Sequence, residues 1–271
     1  MTRKEKVSVV TPVYNEKENI KKTINSIEKQ SYKKTEYIVV DGGSTDGTAN
    51  ILKENRKVVD MLISEEDDGI YDAMNKGIRK CNGSIIGILN AGDWYEKNTI
   101  KKVAHVAKMN PNIGLIHGDM CVWSKDGEKM SIYSGSSRLP PVYGAPFNHP
   151  TCFVRPEVYR DLGLFDLEFR TAADYDFMLR FLNSDWKSMY LDKVLTNFRQ
   201  GGATSQYKVS PINQLWPILR RNEYSLRQSM QGILFRVIRD VTAQVVKGLK
   251  ISWARQSLRS IAPYHKESRK N

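Results

Sequence analysis

An α/β fold, a mostly parallel sheet flanked by helices and followed by a basic helical extension, is predicted for this chain by three observations. Short apolar runs alternate with helical patterns through the first hundred residues, as expected of strands joined by crossover helices. Hydrophobic residues make up 40% and charged residues 27% of 271 positions, which fits a globular protein and excludes a disordered or collagenous chain. The charge is also unevenly placed: residues 206–271 carry 13 Lys and Arg against 3 Asp and Glu, whereas residues 1–205 carry 29 against 27. Most of the net charge of +12 therefore belongs to the tail, and the boundary between domain and extension is placed at residue 205.

The first run, VSVVTPVY from Val7, is β-rich, and Ile20, Ile24 and Ile27 then recur at helical spacing. Residues 37–41 form a second strand that ends in GGSTDG, with a short helix over 48–55. Residues 58–64 read as a third strand, which leads through the acidic EEDD of 65–68 into a helix over 69–80. A fourth strand, 84–89, stops at the NAGD of 90–93. Residues 114–123 and 129–133 alternate as a hairpin around Asp126-Gly127. Residues 140–146 are too rich in proline for regular structure; 151–155 is strand-like, 157–162 and 174–182 are helical, and 188–194 is the last strand of the domain.

No segment approaches the roughly 18 uninterrupted apolar residues of a membrane span. The N-terminal apolar run meets Thr11 and Pro12 too soon for a signal peptide. Cys81, Cys121 and Cys152 are odd in number and widely spaced, which suggests neither a disulfide framework nor a zinc site and points to a reducing cytoplasm.

In open α/β sheets ligands bind beyond the carboxyl ends of the strands. Here all four strands end in polar or glycine clusters, at 11–16, 41–46, 65–69 and 90–93. Neither GxGxxG nor GxxxxGK[ST] follows the first strand, which argues against a dinucleotide fold or a P-loop. Tyr14 offers a ring for stacking, and Asp41 an acceptor for a ring N–H such as that of uracil or guanine. Asp93 is a hard oxygen ligand for Mg²⁺ or Mn²⁺; its competing reading is a turn or N-cap residue before a helix starting at Trp94. Asp174, on the same grounds, reads as a helix N-cap, and His149 as a structural histidine more often than a catalytic one.

In order and spacing, the strings VSVVTPVYNEKENI, IVVDGGSTDGT, GIYDAMNKGI and IIGILNAGDWY resemble the N-terminal half of family 2 glycosyltransferases, inverting enzymes of GT-A fold, over residues 6–205. The resemblance implies that Thr11, Pro12, Tyr14 and Glu16 line a nucleotide pocket to which Ser44, Asp72, Ala91 and Gly92 belong. It also implies that Asp41 reads the base, that Asp67 and Asp68 lie beside base and ribose, and that Asp93 is the last carboxylate of a metal-binding DxD-type motif. Where many members have DSDD this chain has NAGD, so one carboxylate of the motif remains. One carboxylate with two diphosphate oxygens and waters still suffices for a divalent ion, so Mn²⁺ or Mg²⁺ is the expected cofactor.

The segment AADYDFMLR, residues 172–180, resembles the family's xEDxDLxLR segment, in which the residue matching Asp174 is the general base. An inverting transfer needs such a base to take the proton of the attacking hydroxyl while charge builds on the departing diphosphate. The usual preceding Glu is Ala173 here, Asp176 is read as structural, and His149 is assigned to the acceptor region. The absence of QxxRW, carried by processive members, favours single additions.

In the tail, Leu226, Met230, Ile233, Leu234, Val237, Val241, Val245, Leu249 and Trp253 recur every three or four residues among Arg227, Arg236, Arg239, Lys247, Lys250, Arg255 and Arg259. Such a basic amphipathic helix suits an anionic membrane surface. The alternative is that the stripe packs on the domain or on a second subunit, which leaves an oligomer open. The expected activity is transfer of one sugar from a nucleotide-diphosphate sugar of UDP or GDP type to a lipid-linked saccharide acceptor in surface polysaccharide synthesis, peripherally on the inner face of the cytoplasmic membrane. A nucleotidyltransferase is the rival enzyme, but the glycine-rich loop it would need is missing. A nucleic-acid-binding module rests on tail charge alone, and no nucleic acid is the expected partner.

Overall fold

The computed structural model describes residues 6–135, 140–201, 212–248 and 265–266. Four strands, β1 (Val7–Val13), β2 (Thr35–Asp41), β3 (Met61–Ser64) and β4 (Ile85–Ile88), run parallel in the order β3-β2-β1-β4. The sheet continues through β5 (Trp94–Tyr95), β6 (Ile113–Trp123), β7 (Lys129–Tyr133), β8 (Phe153–Val154), β9 (Lys187–Arg199) and β10 (His265–Lys266). Antiparallel β8 lies between β4 and β6, the β6–β7 hairpin forms as predicted, and β9 runs parallel to β6. The helices are α1 (Ile20–Glu28), α2 (Thr48–Glu54), α3 (Ile70–Lys80), α4 (Thr99–Met109), α5 (Pro156–Leu162), α6 (Ala173–Leu182), α7 (Ile212–Arg221) and α8 (Leu226–Gly248).

Because successive side chains of a strand point to opposite faces, β1 divides its apolar residues between two core clusters. Val7, Val9 and Val13 pack with Ile20, Ile24 and Ile27 of α1 and Ile100 and Val103 of α4. Val10 faces the other way, with Met74 and Ile78 of α3, Phe177 and Phe181 of α6, and Leu215, Ile218 and Leu219 of α7. Burial on both faces is why the parallel strands read as continuous apolar runs. α3 comes close to the sheet at Gly77, where a Cβ would overlap the Val10 side chain.

Two expectations give way to long-range pairing. Residues 94–95 form a strand rather than opening a helix, because Trp94 and Tyr95 pair with Asn197 and Thr196 of β9. Pairing with β6, up to Trp123 against Arg199, carries β9 beyond its predicted end. α4 starts only at Thr99, with Asn98 at the N-cap, so Asp93 caps no helix. Asp174 is no N-cap either: it sits inside the first turn of α6, whose N-cap position is Ala172.

The C-terminal helices are tied to α6. Asp176, fully buried, accepts hydrogen bonds from Arg180 Nε at 2.8 Å and from Asn222 Nδ2 at 3.1 Å, and Arg221 pairs with Asp166. The Arg236 guanidinium of α8 stacks 4.4 Å from the centre of the Tyr175 ring. The opposite side of α8 is bare: Leu226, Met230, Leu234, Ile238, Val241 and Val245 are each 52–60% exposed. Leu249, Lys250, Trp253, Arg255 and Arg259 lie outside the described residues. No helix among the described residues is long and apolar enough to cross a membrane.

Candidate active site

β2 lies on one side of β1 and β4 on the other, so strand order reverses between β1 and β4, the place where α/β sheets open a ligand crevice. The loops after the first two strands are laced together beside it. Asn15 N–H donates to Ser44 Oγ at 2.9 Å, Thr45 N–H to Asn15 Oδ1 at 2.9 Å, Glu16 N–H to Thr48 Oγ1 at 3.0 Å, and Lys17 N–H to Asp46 Oδ2 at 3.0 Å. Asn15 adopts φ 50°, a left-handed conformation that asparagine tolerates better than most residues. Tyr14, at the head of this rim, is 60% exposed and free to stack on a planar ring.

Asp41 ends β2 in register with Val13 of β1 and Ser64 of β3. Its Oδ1 accepts from Ser44 N–H at 3.1 Å and its Oδ2 from Ser64 Oγ at 2.7 Å. Each oxygen keeps a second lone pair for a donor on a base. The Asp67 carboxylate packs against Gly42, where a Cβ would displace it, and it accepts from Gly69 N–H at 2.9 Å. Burial raises the Asp67 pKa, and the Asp72 and Asp41 carboxylates add to that rise. Not all the residues implied by the family motif face the crevice with their side chains. Thr11 points into the sheet, where its Oγ accepts from the Tyr37 hydroxyl at 3.1 Å, and Pro12 is buried. Asp72 accepts from Asp68 N–H and pairs with Lys76 at 3.2 Å, which braces the start of α3.

Across the crevice, Ala91, Gly92 and Asp93 turn tightly after β4. Thr23 of α1 fixes this turn: its hydroxyl donates to Asp93 O at 2.7 Å and accepts from Gly92 N–H at 2.9 Å. Gly92 has φ 92° and faces Glu16 Oε2. Asp93 Oδ1 accepts from Arg199 N–H at 2.9 Å, while its Oδ2 and Asn90 Oδ1 are buried without a hydrogen-bond partner. Burial pushes the Asp93 carboxyl up to about 8, with the Glu16 charge adding and Arg199 opposing. Two buried oxygens without hydrogen-bond donors, one of them on a carboxyl whose ionised form lacks a compensating charge, fit a divalent cation. Among the described residues no group of three or more His, Cys, Asp or Glu is arranged to hold a metal, so donor phosphate oxygens would complete the coordination.

Asp174 lies at the far side of the same edge. Its Oδ1 accepts from the Tyr71 hydroxyl at 2.8 Å, and Tyr71 belongs to the first turn of α3, directly after the acidic loop. His149, in a 3₁₀ turn before β8, stands edge-on to Phe165 at 5.6 Å. Burial lowers its pKa, with Asp174 opposing, so His149 is neutral at pH 7. The cavity behind it is lined by Ile88, Leu115, Phe177 and Met178 and belongs to the core.

Sequence reasoning missed Thr23, Asn15, Asn90 and Tyr71. Asn15 and Asn90, within the first and fourth polar clusters, carried a local signal; Thr23 and Tyr71 matter through partners distant in the chain.

Polar loops gathered at one switch point, with a carboxylate on either side, make up the layout of a group-transfer enzyme that takes an activated donor. The family described as Glycosyl transferase family 2 matches residues 8–162, and the chain belongs to that family: it is a glycosyltransferase of glycan biosynthesis. It is similar to the PGL/p-HBAD biosynthesis glycosyltransferase of Mycobacterium tuberculosis, with 28% identity over 257 residues, 92% of this chain and 97% of that one. Among solved structures it resembles S. aureus TarS 1-349 in complex with UDP-GlcNAc, with TM-score 0.64, 19% identity, 93% of this chain and 78% of that one. It also resembles the mannosyltransferase PcManGT from Pyrobaculum calidifontis in complex with GDP-Man and Mn²⁺, with TM-score 0.62, 19% identity, 86% of this chain and 69% of that one. Of a longer TarS chain it spans 43%. These likenesses show the fold, that of the GT-A glycosyltransferases.

Proposed function

We propose that the protein is an inverting, non-processive glycosyltransferase that moves one sugar from a UDP- or GDP-type donor to a lipid-linked saccharide acceptor in surface polysaccharide synthesis. The observation that carries this reading is the pair of carboxylates at one sheet edge: Asp93, with a buried oxygen lacking a donor, and Asp174, with one oxygen held by Tyr71. The nucleotide is assigned to the Tyr14 and Asp41 side of the crevice, with its diphosphate next to Asn90–Asp93. Solved neighbours bound to UDP-GlcNAc and to GDP-Man with Mn²⁺ support that class of donor.

Asp93, with Asn90 beside it, would hold Mn²⁺ or Mg²⁺, whose charge neutralises the diphosphate of the leaving nucleotide. Asp174 takes the proton from the acceptor hydroxyl as that oxygen attacks the anomeric carbon from the side opposite the diphosphate, which inverts the configuration. The C–O bond to the nucleotide breaks, and the nucleoside diphosphate leaves with the electron pair. The exposed face of α8 and the basic tail support a peripheral position for the enzyme on an anionic inner membrane surface.

Calorimetry with UDP, GDP and their sugar conjugates, each with Mn²⁺ and with chelator, tests the reading. Asp93→Ala should weaken donor binding at least tenfold in Mn²⁺, whereas Asp174→Asn should bind donor normally and lose transfer by about 10²-fold or more. Equal loss of donor affinity in both variants overturns the assignment of roles.

A further inference from the structure

We infer that Tyr71 is a positioning residue for Asp174: its hydroxyl holds Oδ1 and leaves Oδ2 turned toward the acceptor. The inference rests on the reading of Asp174 as the base. Among the described residues, Tyr71 supplies the hydrogen bond recorded to the Asp174 side chain, at 2.8 Å across 103 residues of sequence. The ring is buried, 6% exposed, and leans on Phe165 at 5.5 Å, so the hydroxyl has little freedom to leave. Burial and the neighbouring Asp174 charge keep the phenol protonated, well above its ordinary range, and it stays a donor at every working pH. This one hydrogen bond ties Asp174, in the first turn of α6, to the first turn of α3.

A donor on Oδ1 fixes the orientation of the carboxylate. It also leaves Oδ2 as the acceptor for the incoming hydroxyl proton. The other titratable groups that face Asp174 are His149 and Cys152, from the segment before β8. Burial favours the neutral form of both. Asp176, on α6 itself, is turned toward Arg180 and Asn222.

Tyr71→Phe removes the oxygen and keeps the ring. The expected result is a kcat about 10- to 100-fold lower with a donor KM within about twofold. The same split in a His149→Gln background shows that the loss does not run through His149. Phe165→Leu disturbs the packing without touching the hydroxyl, and should lower Tm with kcat within about twofold. An unchanged kcat in Tyr71→Phe, with Asp174→Asn inactive, overturns this inference alone. Retained transfer in Asp174→Asn overturns the base assignment beneath it.

Discussion

Glu36 shows how much a single buried carboxylate contributes on the strand that also carries Asp41. It accepts from Lys6 Nζ at 2.8 Å, Ser8 Oγ at 2.5 Å, Asn82 N–H at 2.8 Å and Asn82 Nδ2 at 3.1 Å. Burial works to raise its pKa, but these donors together outweigh it and bring it to about 2. The unfolded value is about 4.3, so the stabilisation is fully present above that pH and is lost as pH falls toward 2. Urea midpoints should therefore drop between pH 4 and 2. Glu36→Gln should flatten part of that drop and cost about 2 kcal/mol at pH 7. At this scale the sequence made the chemistry visible, but not the partners. Tyr14, Asp41, Asp93 and Asp174 stood out because polar residues at strand ends and in family motifs are local patterns. Tyr71 and Thr23 did not, since their partners lie 103 and about 70 residues away. The Thr11 hydroxyl likewise has its partner, Tyr37, 26 residues away.

Among the elements, α3 links the sheet to the chemistry. Its Gly77 lies against Val10 of β1, its Met74 and Ile78 fill the core, and its first turn holds Tyr71. Gly77→Ala leaves helix propensity improved by up to about 1 kcal/mol, yet overpacks the contact with Val10. Net destabilisation of about 1–2 kcal/mol is expected, together with a fall in kcat as the first turn shifts away from α6; denaturant titration and steady-state rates check both. Periodicity revealed α3 and the other helices because their apolar stripes repeat within one turn. It misread residues 94–95, where two aromatic residues take their structure from β9, about a hundred positions downstream.

For the whole molecule, the tail is both anchored and exposed. α7 buries Leu215, Ile218 and Leu219 in the same cluster as the underside of the sheet, and Ile218→Ala should cost about 2–4 kcal/mol in a denaturant titration. α8 presents six apolar residues outward. In flotation assays, Leu234→Glu with Ile238→Glu should abolish binding to anionic vesicles while far-UV circular dichroism and melting temperature stay unchanged. Added salt should weaken whatever binding remains in the wild type. Charge composition marked this segment from the start, because a surplus of cations does not depend on tertiary contacts. Which side of the helix is free depends on Arg236 reaching Tyr175, and composition carries no trace of that.

The stacking of Arg236 on Tyr175 has a mechanical consequence. Tyr175 is the residue after Asp174, so the stack joins the helix proposed to rest on lipid to the helix bearing the proposed base. Were α8 seated on a bilayer as proposed, this link would set the height of Asp174 above it.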